Sequence, residues 1–210
     1  MVYHRAILGA MEILPKEMLI IAALRHIPFE GWTRLAFEKA EESEGLPAGT
    51  YAAYFPSGMQ DFIKATHEWV DGEMKRRIAA QPDFAEQKIR EKIFRCVMAR
   101  LQTLTPYREA IRRLAGHQLL PWNKFSGLSD LGRAADAMWK AAGDRSVDYN
   151  FYTKRILLSG VYAATLNHWF DDVSDEFEAT QTFLRQRIEN VLKFGKFMGG
   201  IKEKFGKRAA

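Results

Sequence analysis

Apolar residues recur along almost the whole chain at the three- and four-residue steps of an α-helix. The clearest example is the stripe formed by Ile89, Ile93, Val97, Leu101 and Leu104. This spacing places all five side chains on one face of a helix. Strict alternation of apolar and polar residues, which marks a half-buried strand, is hard to find over five or more positions. The sequence therefore predicts an all-α protein.

Proline and glycine divide the helical pattern into segments of ordinary helix length. We predict nine helices, at residues 15–26, 32–44, 48–54, 58–80, 84–104, 107–116, 126–142, 150–171 and 175–206. The most apolar window, Ile156–Phe170, has no Lys, Arg, Asp or Glu but is only 15 residues long. A membrane-spanning helix needs about 20 residues, so we interpret this window as a buried central helix.

Residues 31–55, GWTRLAFEKAEESEGLPAGTYAAYF, have the pattern of two short helices joined by a tight turn. Small residues at fixed places and the pair Tyr54–Phe55 before a long helix resemble the N-terminal domain of the tetracycline-repressor family; the small residues are Gly31, Ala36, Ala40 and Gly45. Between Ala40 and Ile63, however, there is no Lys, Arg or His, and the formal charge is −4. Phosphate contacts supply most of the affinity for DNA. We therefore expect a degenerate helix-turn-helix and no nucleic-acid partner.

Positive charge is concentrated at the C-terminus instead. The 210-residue chain has a net charge of +5, and residues 185–210 hold eight Lys or Arg against two acidic residues. Apolar residues in this segment follow helical steps, which is typical of a helix lying in a membrane interface. The residues that we predict to contact the membrane are Phe194, Met198, Ile201, Phe205, Lys193, Lys196 and Lys202. The alternative is a basic solvated tail whose apolar stripe packs on the core of the protein.

These patterns suggest three segments: a helix-turn-helix-like domain at 1–56, a larger helical ligand-binding domain at 57–183, and a basic amphipathic tail at 184–210. Signals for catalysis are weak. The single cysteine, Cys96, falls beside a core stripe, and the five histidines are scattered. His168 with Asp171 and Asp172 has a spacing that a metal site could use, but a polar cluster ending a helix explains it better. We expect no enzyme, no catalytic residue, no metal and no cofactor.

The segment ADAMWKAAGDRSVDYNFYTKR, residues 135–155, is unusual for a protein without catalysis. Phe151 and Tyr152 fall in the first turn of the buried helix, beside Lys154 and Arg155. Aromatic residues and arginine at the exposed end of a helix are typical of a protein-binding hot spot. Ordinary capping with two core aromatics remains an equal alternative on physical grounds.

Three stretches together resemble the ubiquinone (coenzyme Q) biosynthesis protein nine family: IPFEGWTRLAF, AADAMWKAAGDRSVDYNFYTKR and FLRQRIENVLKFGK. The resemblance covers about Leu19 to Lys196 and implies a tetracycline-repressor-like fold without DNA binding. It further implies a homodimer with an apolar cavity that binds isoprenoid lipids, including quinone intermediates. A C-terminal amphipathic helix would contact the membrane, and the partner would be demethoxyubiquinone hydroxylase, a di-iron enzyme.

The resemblance also implies site residues. The surface facing the hydroxylase would comprise Met138, Asp148, Phe151 and Tyr152, with Phe151 standing where the family usually has Trp. To the lipid cavity we assign Trp139, Leu158, Tyr162, Trp169 and Phe183. The starting Met lies close to the first domain, so we expect a bacterial cytoplasmic protein peripheral on the inner membrane, or a mitochondrial matrix-side protein if the chain is processed. The alternatives are a ligand-responsive transcriptional regulator and a dimeric scaffold without ligand.

Overall fold

The computed structural model describes residues 15–118, 124–144 and 149–206, and these residues form helices and the turns between them. The nine helices are α1 (Pro15–Glu30), α2 (Arg34–Glu44), α3 (Thr50–Tyr54), α4 (Met59–Ala79), α5 (Ile89–Leu104), α6 (Arg108–Gln118), α7 (Lys124–Ala141), α8 (Tyr149–Asp171) and α9 (Glu178–Gly206). Single 3₁₀ turns precede α5, α6 and α9. The predicted all-α class is confirmed. No helix in the described ranges is both long and apolar enough to cross a bilayer.

Helix boundaries differ from the prediction in several places, of which three show a physical cause or a changed helix start. The segment predicted as one helix from residue 84 is a 3₁₀ turn, Phe84–Glu86, followed by extended Gln87 (ψ 150°) and then α5. The first helix continues past Pro28, since the Gly31 N–H still bonds to the Ile27 carbonyl at 2.8 Å. Residue 126, expected to open α7, lies within it, because α7 already begins at Lys124.

The chain divides into two compact units. The first comprises residues up to Trp69 together with Glu109–Leu114, and the second comprises the remainder. Aromatic rings fill the core of the first unit: Phe37 stacks on Tyr51 with centroids 3.8 Å apart, and Phe62 packs edge-on against Phe37 at 4.5 Å. These contacts hold the helix-turn-helix-like helices around α4.

Glu41 joins α2 to α3 within the first unit. Gly45 adopts the left-handed conformation (φ 66°) that ends α2, as glycine commonly does after the last turn of a helix. The Glu41 side chain is buried and accepts the backbone N–H groups of Gly49 and Tyr51 at 3.1 and 2.5 Å. The Glu41 carboxylate, one of the four negative charges between Ala40 and Ile63, is therefore buried and caps the short helix α3.

The second unit is built around α5 and α8. The predicted stripe of α5 is largely buried, with Val97 and Leu101 fully enclosed, although Ile89 at its start remains exposed. Arg100, which is 1 % exposed, forms an ion pair with Asp71, and its Nε lies 3.3 Å from the Tyr162 hydroxyl. A buried guanidinium requires such partners because an unpaired charge in a core is costly.

Candidate functional site

An apolar pocket lies in the second unit. It is formed by the start of α5, the end of α7, the first half of α8 and the middle of α9. Its volume is about 690 Å³, within the usual range for small-molecule sites. The lining residues are Ile89, Arg90, Ile93, Trp139, Gly143, Asp144, Lys154, Leu157, Leu158, Val161, Ile188, Val191 and Leu192. Eight of these are aliphatic, so the pocket suits a hydrocarbon chain.

Helical periodicity on three elements creates the apolar wall. Ile89 and Ile93 are one turn apart on α5, and Leu157 and Val161 are one turn apart on α8. On α9 the same face presents Ile188, Val191 and Leu192. Residues four apart on a helix project from one side, so each helix contributes a continuous strip of side chains to the same cavity.

A network of charged side chains forms one edge of the pocket. Lys154 Nζ lies 2.8 Å from Asp144 Oδ1 and 5.4 Å from the centre of the Trp139 ring. The Trp139 indole N–H donates to the Lys154 carbonyl at 3.1 Å. Arg155 bonds to the second oxygen of Asp144 at 3.1 Å and to Asp136 at 2.7 Å. These bonds fix the orientation of the Trp139 ring, one wall of the pocket.

Of the five residues assigned to the cavity, Trp139 and Leu158 line the pocket and three do not. Tyr162 is buried against Arg100. Trp169 is fully enclosed, with the Arg108 guanidinium 5.1 Å from its ring centre. Phe183 stacks on His168 at 4.5 Å and borders a separate shallow depression. These three do not line this pocket, because their apolar surface is covered by neighbours within the core or at the junction of α8 and α9. Their assignment to a lipid cavity stays a prediction.

The predicted hydroxylase-facing residues are in different environments. Tyr152 is 67 % exposed, whereas Phe151 is half-buried, with the Arg155 guanidinium 3.4 Å from its ring centre. Met138 is fully buried, so its side chain offers no surface to a partner. Its position follows from the register of α7, in which Ala134, Ala135 and Met138 form the core face. Asp148 lies outside the described residues.

The predicted membrane-contacting tail forms the C-terminal part of α9. The helix continues to Gly206, and Lys193 is exposed. The side chains of Phe194, Lys196, Met198, Ile201, Lys202 and Phe205 lie outside the described residues. Leu184 is fully buried and Ile188 and Val191 line the pocket. The first part of the tail stripe therefore packs on the protein itself, as the alternative interpretation of this segment predicts.

The weaker candidates for chemistry have structural explanations. Burial raises the pKa of the Cys96 thiol to about 12, so the reactive thiolate is scarce at neutral pH. Both oxygens of Asp172 accept hydrogen bonds from Ser174 and Thr180. Across the described part of the chain, no group of three or more His, Cys, Asp or Glu is arranged to hold a metal ion.

Sequence reasoning missed most of the pocket. Ile89 and Ile93 belong to a recognised apolar stripe, but that stripe was interpreted as core. Ile188 and Val191 were assigned to the membrane tail. The signal for both was helical periodicity, which identifies an apolar face without revealing what covers it.

The arrangement of helices defines the class of protein. The TetR transcriptional regulator from Nitrosomonas europaea has the same fold, with a TM-score of 0.66 over 83 % of this chain and 95 % of that chain. The two sequences are 19 % identical, so the likeness concerns the fold alone. This chain is thus an all-α protein of the TetR-like fold.

Within that class, residues 126–195 match the COQ9 family. The chain is 32 % identical to ubiquinone biosynthesis protein COQ9, mitochondrial, of Bos taurus, over 86 % of this chain and 58 % of that protein. It is 31 % identical to the Homo sapiens protein of the same name over 86 % and 58 %, and 27 % identical to that of Schizosaccharomyces pombe over 90 % and 74 %. The chain belongs to the COQ9 family. It spans less than two thirds of the length of its mammalian relatives.

Proposed function

We propose that this protein is a non-catalytic, lipid-binding accessory protein of ubiquinone biosynthesis. It binds isoprenoid quinone intermediates and presents them to demethoxyubiquinone hydroxylase at a membrane. The observation that carries the proposal is the apolar pocket of about 690 Å³ between α5, α7, α8 and α9. The names of the COQ9 relatives, which are ubiquinone biosynthesis proteins, supply the pathway.

The physical task of such a protein is to lower the cost of exposing an isoprenoid tail to water. Burial of apolar surface is worth about 25 cal/mol per Å², so covering about 200 Å² of the tail contributes about 5 kcal/mol. The aliphatic strips of α5, α8 and α9 are suited to this role. No covalent step is required of any side chain, and the chemistry belongs to the partner enzyme.

The other parts of the proposal rest on separate features. A hydroxylase-docking surface is supported by Tyr152 and Ile156, which are 67 % and 71 % exposed and lie one turn apart on α8. Membrane contact is supported by the basic amphipathic sequence of α9 after Lys193. Homodimer formation follows from the family resemblance. The location would be the surface of a bacterial inner membrane, or the matrix side of the mitochondrial inner membrane, in keeping with the names of the relatives.

Titration of the purified protein with a prenylated benzoquinone tests the proposal. The wild-type protein should bind it saturably, and Leu157→Trp, which fills the pocket with a larger side chain, should weaken binding at least tenfold. Asn167→Trp adds the same ring at an exposed position of α8 outside the pocket and should bind like the wild type. Equal binding by both variants would show that the quinone binds elsewhere, provided that their circular dichroism spectra match.

A further inference from the structure

The charged residues around the pocket are not balanced. Asp144 is the carboxylate among the lining residues, and its two oxygens are bonded by Lys154 and Arg155 at 2.8 and 3.1 Å. Asp136, behind it, is bonded by Arg155 and Lys140, both at 2.7 Å. Among the described residues of α7 and α8, these two carboxylates are therefore paired with three cations, Lys140, Lys154 and Arg155.

Arg90 adds a fourth cation to the described surroundings of the pocket, from α5. It lies in the first turn of α5, is exposed, and lines the pocket. No ion pair or hydrogen bond joins its guanidinium to any residue in the described part of the chain. A guanidinium presents five N–H donors in a fixed fork, a shape that matches carboxylate and phosphate groups.

The acidic residue next to Arg90 is already engaged. Glu91 accepts hydrogen bonds from Arg95 at 3.2 Å and from Arg185 at 2.9 Å. Burial alone would raise the pKa of Glu91, but the hydrogen bonds from Arg185 and Arg95 hold it below its usual value. Glu91 therefore stays ionised and bound to those two arginines, which leaves Arg90 available to a ligand.

We propose that the pocket, besides isoprenoid quinone intermediates, binds amphiphiles with one apolar chain and an anionic head group, and that Arg90 binds their carboxylate or phosphate. This inference rests on the proposed lipid-binding function and adds to it the chemistry of the head group. The chain lies along Leu157, Val161 and Val191, and the head group remains near water at the start of α5. An uncharged head group cannot form an ion pair with Arg90. Of two ligands with the same apolar chain, the one with the anionic head group therefore binds more tightly.

Three ligands with the same 20-carbon isoprenoid chain test the proposal: geranylgeraniol, geranylgeranoic acid and geranylgeranyl phosphate. Their dissociation constants are measured for the wild-type protein, Arg90→Gln and Arg34→Gln. Arg34 is an exposed arginine outside the pocket, so its variant loses the same charge elsewhere. Because Arg90 is exposed, its substitution should leave the fold intact.

We expect the wild-type protein and Arg34→Gln to bind the acid, the phosphate or both about tenfold more tightly than the alcohol, as one charge-assisted contact provides. Arg90→Gln should abolish this preference without changing the affinity for the alcohol. Preference for only one anion would identify the head group as a carboxylate or a phosphate. An anion preference that survives in Arg90→Gln, or an alcohol that binds as tightly as both anions, would overturn the inference alone. Failure of all three ligands to bind would overturn the lipid-binding function as well.

Discussion

Asp172 determines how the chain turns from α8 into α9. Its side chain is buried and accepts hydrogen bonds from the N–H and hydroxyl of Ser174, at 2.8 and 2.6 Å, and from those of Thr180, at 2.8 and 2.5 Å. Burial alone would raise the pKa of Asp172, but these four bonds hold it well below its usual value of 3.8. The ionised carboxylate is therefore a structural element, since it satisfies backbone donors that begin α9.

We expect Asp172→Asn to lower the free energy of unfolding by about 1–3 kcal/mol at neutral pH, because an amide cannot accept all four bonds. Urea denaturation measures the difference. Asp175→Asn, at an exposed position three residues away, is the matched control and should change stability by less than about 0.5 kcal/mol.

The pH dependence of this difference follows from the direction of the pKa shift. The pKa of Asp172 is lower in the folded state than in the unfolded state, so the ionised carboxylate stabilises the fold. This stabilisation is complete at pH values above the unfolded-state pKa, which is near 3.8. The advantage of the wild type over Asp172→Asn should therefore be constant above about pH 5 and decline as the pH falls below 4. A difference that grows on acidification would contradict the role given to the carboxylate.

Phe151 and Tyr152 are adjacent in sequence, but their side chains are in different environments. The Phe151 ring packs under the buried Arg155 guanidinium, whereas Tyr152 is mostly exposed. Tyr152→Ala should therefore cost ~2 kcal/mol or more of binding to the hydroxylase, as hot-spot aromatics do, with unchanged stability and lipid content. Phe151→Ala should weaken partner binding and also cost about 1 kcal/mol of stability through the lost cation–π contact. Isothermal titration and thermal melting separate the two effects, and full partner affinity in Tyr152→Ala would remove this surface from the docking model.

At the scale of the element, α9 has a first part that lines the pocket and a second part for which we propose membrane contact. Residues up to Leu192 contribute to the pocket, and the sequence beyond contains the remaining apolar residues and all four lysines of the helix. A helix that begins on the protein and ends at a membrane would place the pocket beside the source of its lipid. The amphipathic pattern alone did not reveal that the first part of α9 lines the pocket, because the same spacing suits a protein core and a membrane interface.

The full-length protein should float with liposomes that contain anionic lipid, and about 0.5 M salt should weaken flotation by screening the lysines. Replacing Phe194, Met198 and Phe205 with Ser should abolish flotation, because the apolar face that inserts between lipids is lost. Replacing three exposed polar residues of the same helix, Gln186, Glu189 and Asn190, with Ser is the matched control and should leave flotation unchanged. Flotation of the apolar triple variant at the wild-type level would assign the stripe to the protein core or a dimer partner.

Secondary structure was predictable because helical periodicity is a local property of the sequence. The position of Met138 was also predictable in principle, since Ala134, Ala135 and Ala142 mark the same buried face of α7. The pocket was not predictable, because its walls are formed by side chains of four separate helices, α5, α7, α8 and α9. The enclosure of Trp169 by Arg108, 61 positions away in sequence, likewise depends on tertiary contacts that no local pattern encodes.

At the scale of the whole molecule, the chain combines a fold shared with a transcriptional regulator and a helix-turn-helix-like region that is poor in positive charge. The helix-turn-helix-like region has no Lys, Arg or His between Ala40 and Ile63, and Glu41 is committed to capping α3. The apolar pocket lies in the second unit. A fold does not specify a function, so the proposal of lipid delivery depends on the pocket and on the COQ9 relationship.

The most direct test of this account is mass spectrometry of the lipids extracted from the protein as purified, without added ligand. We predict an isoprenoid lipid in the wild-type protein and in the exposed-surface variant Asn167→Trp. The same lipid should be absent, or reduced at least tenfold, in the pocket-filled variant Leu157→Trp. Absence of isoprenoid lipid from the wild-type protein, or equal amounts in all three, would contradict the claim that this pocket holds the ligand.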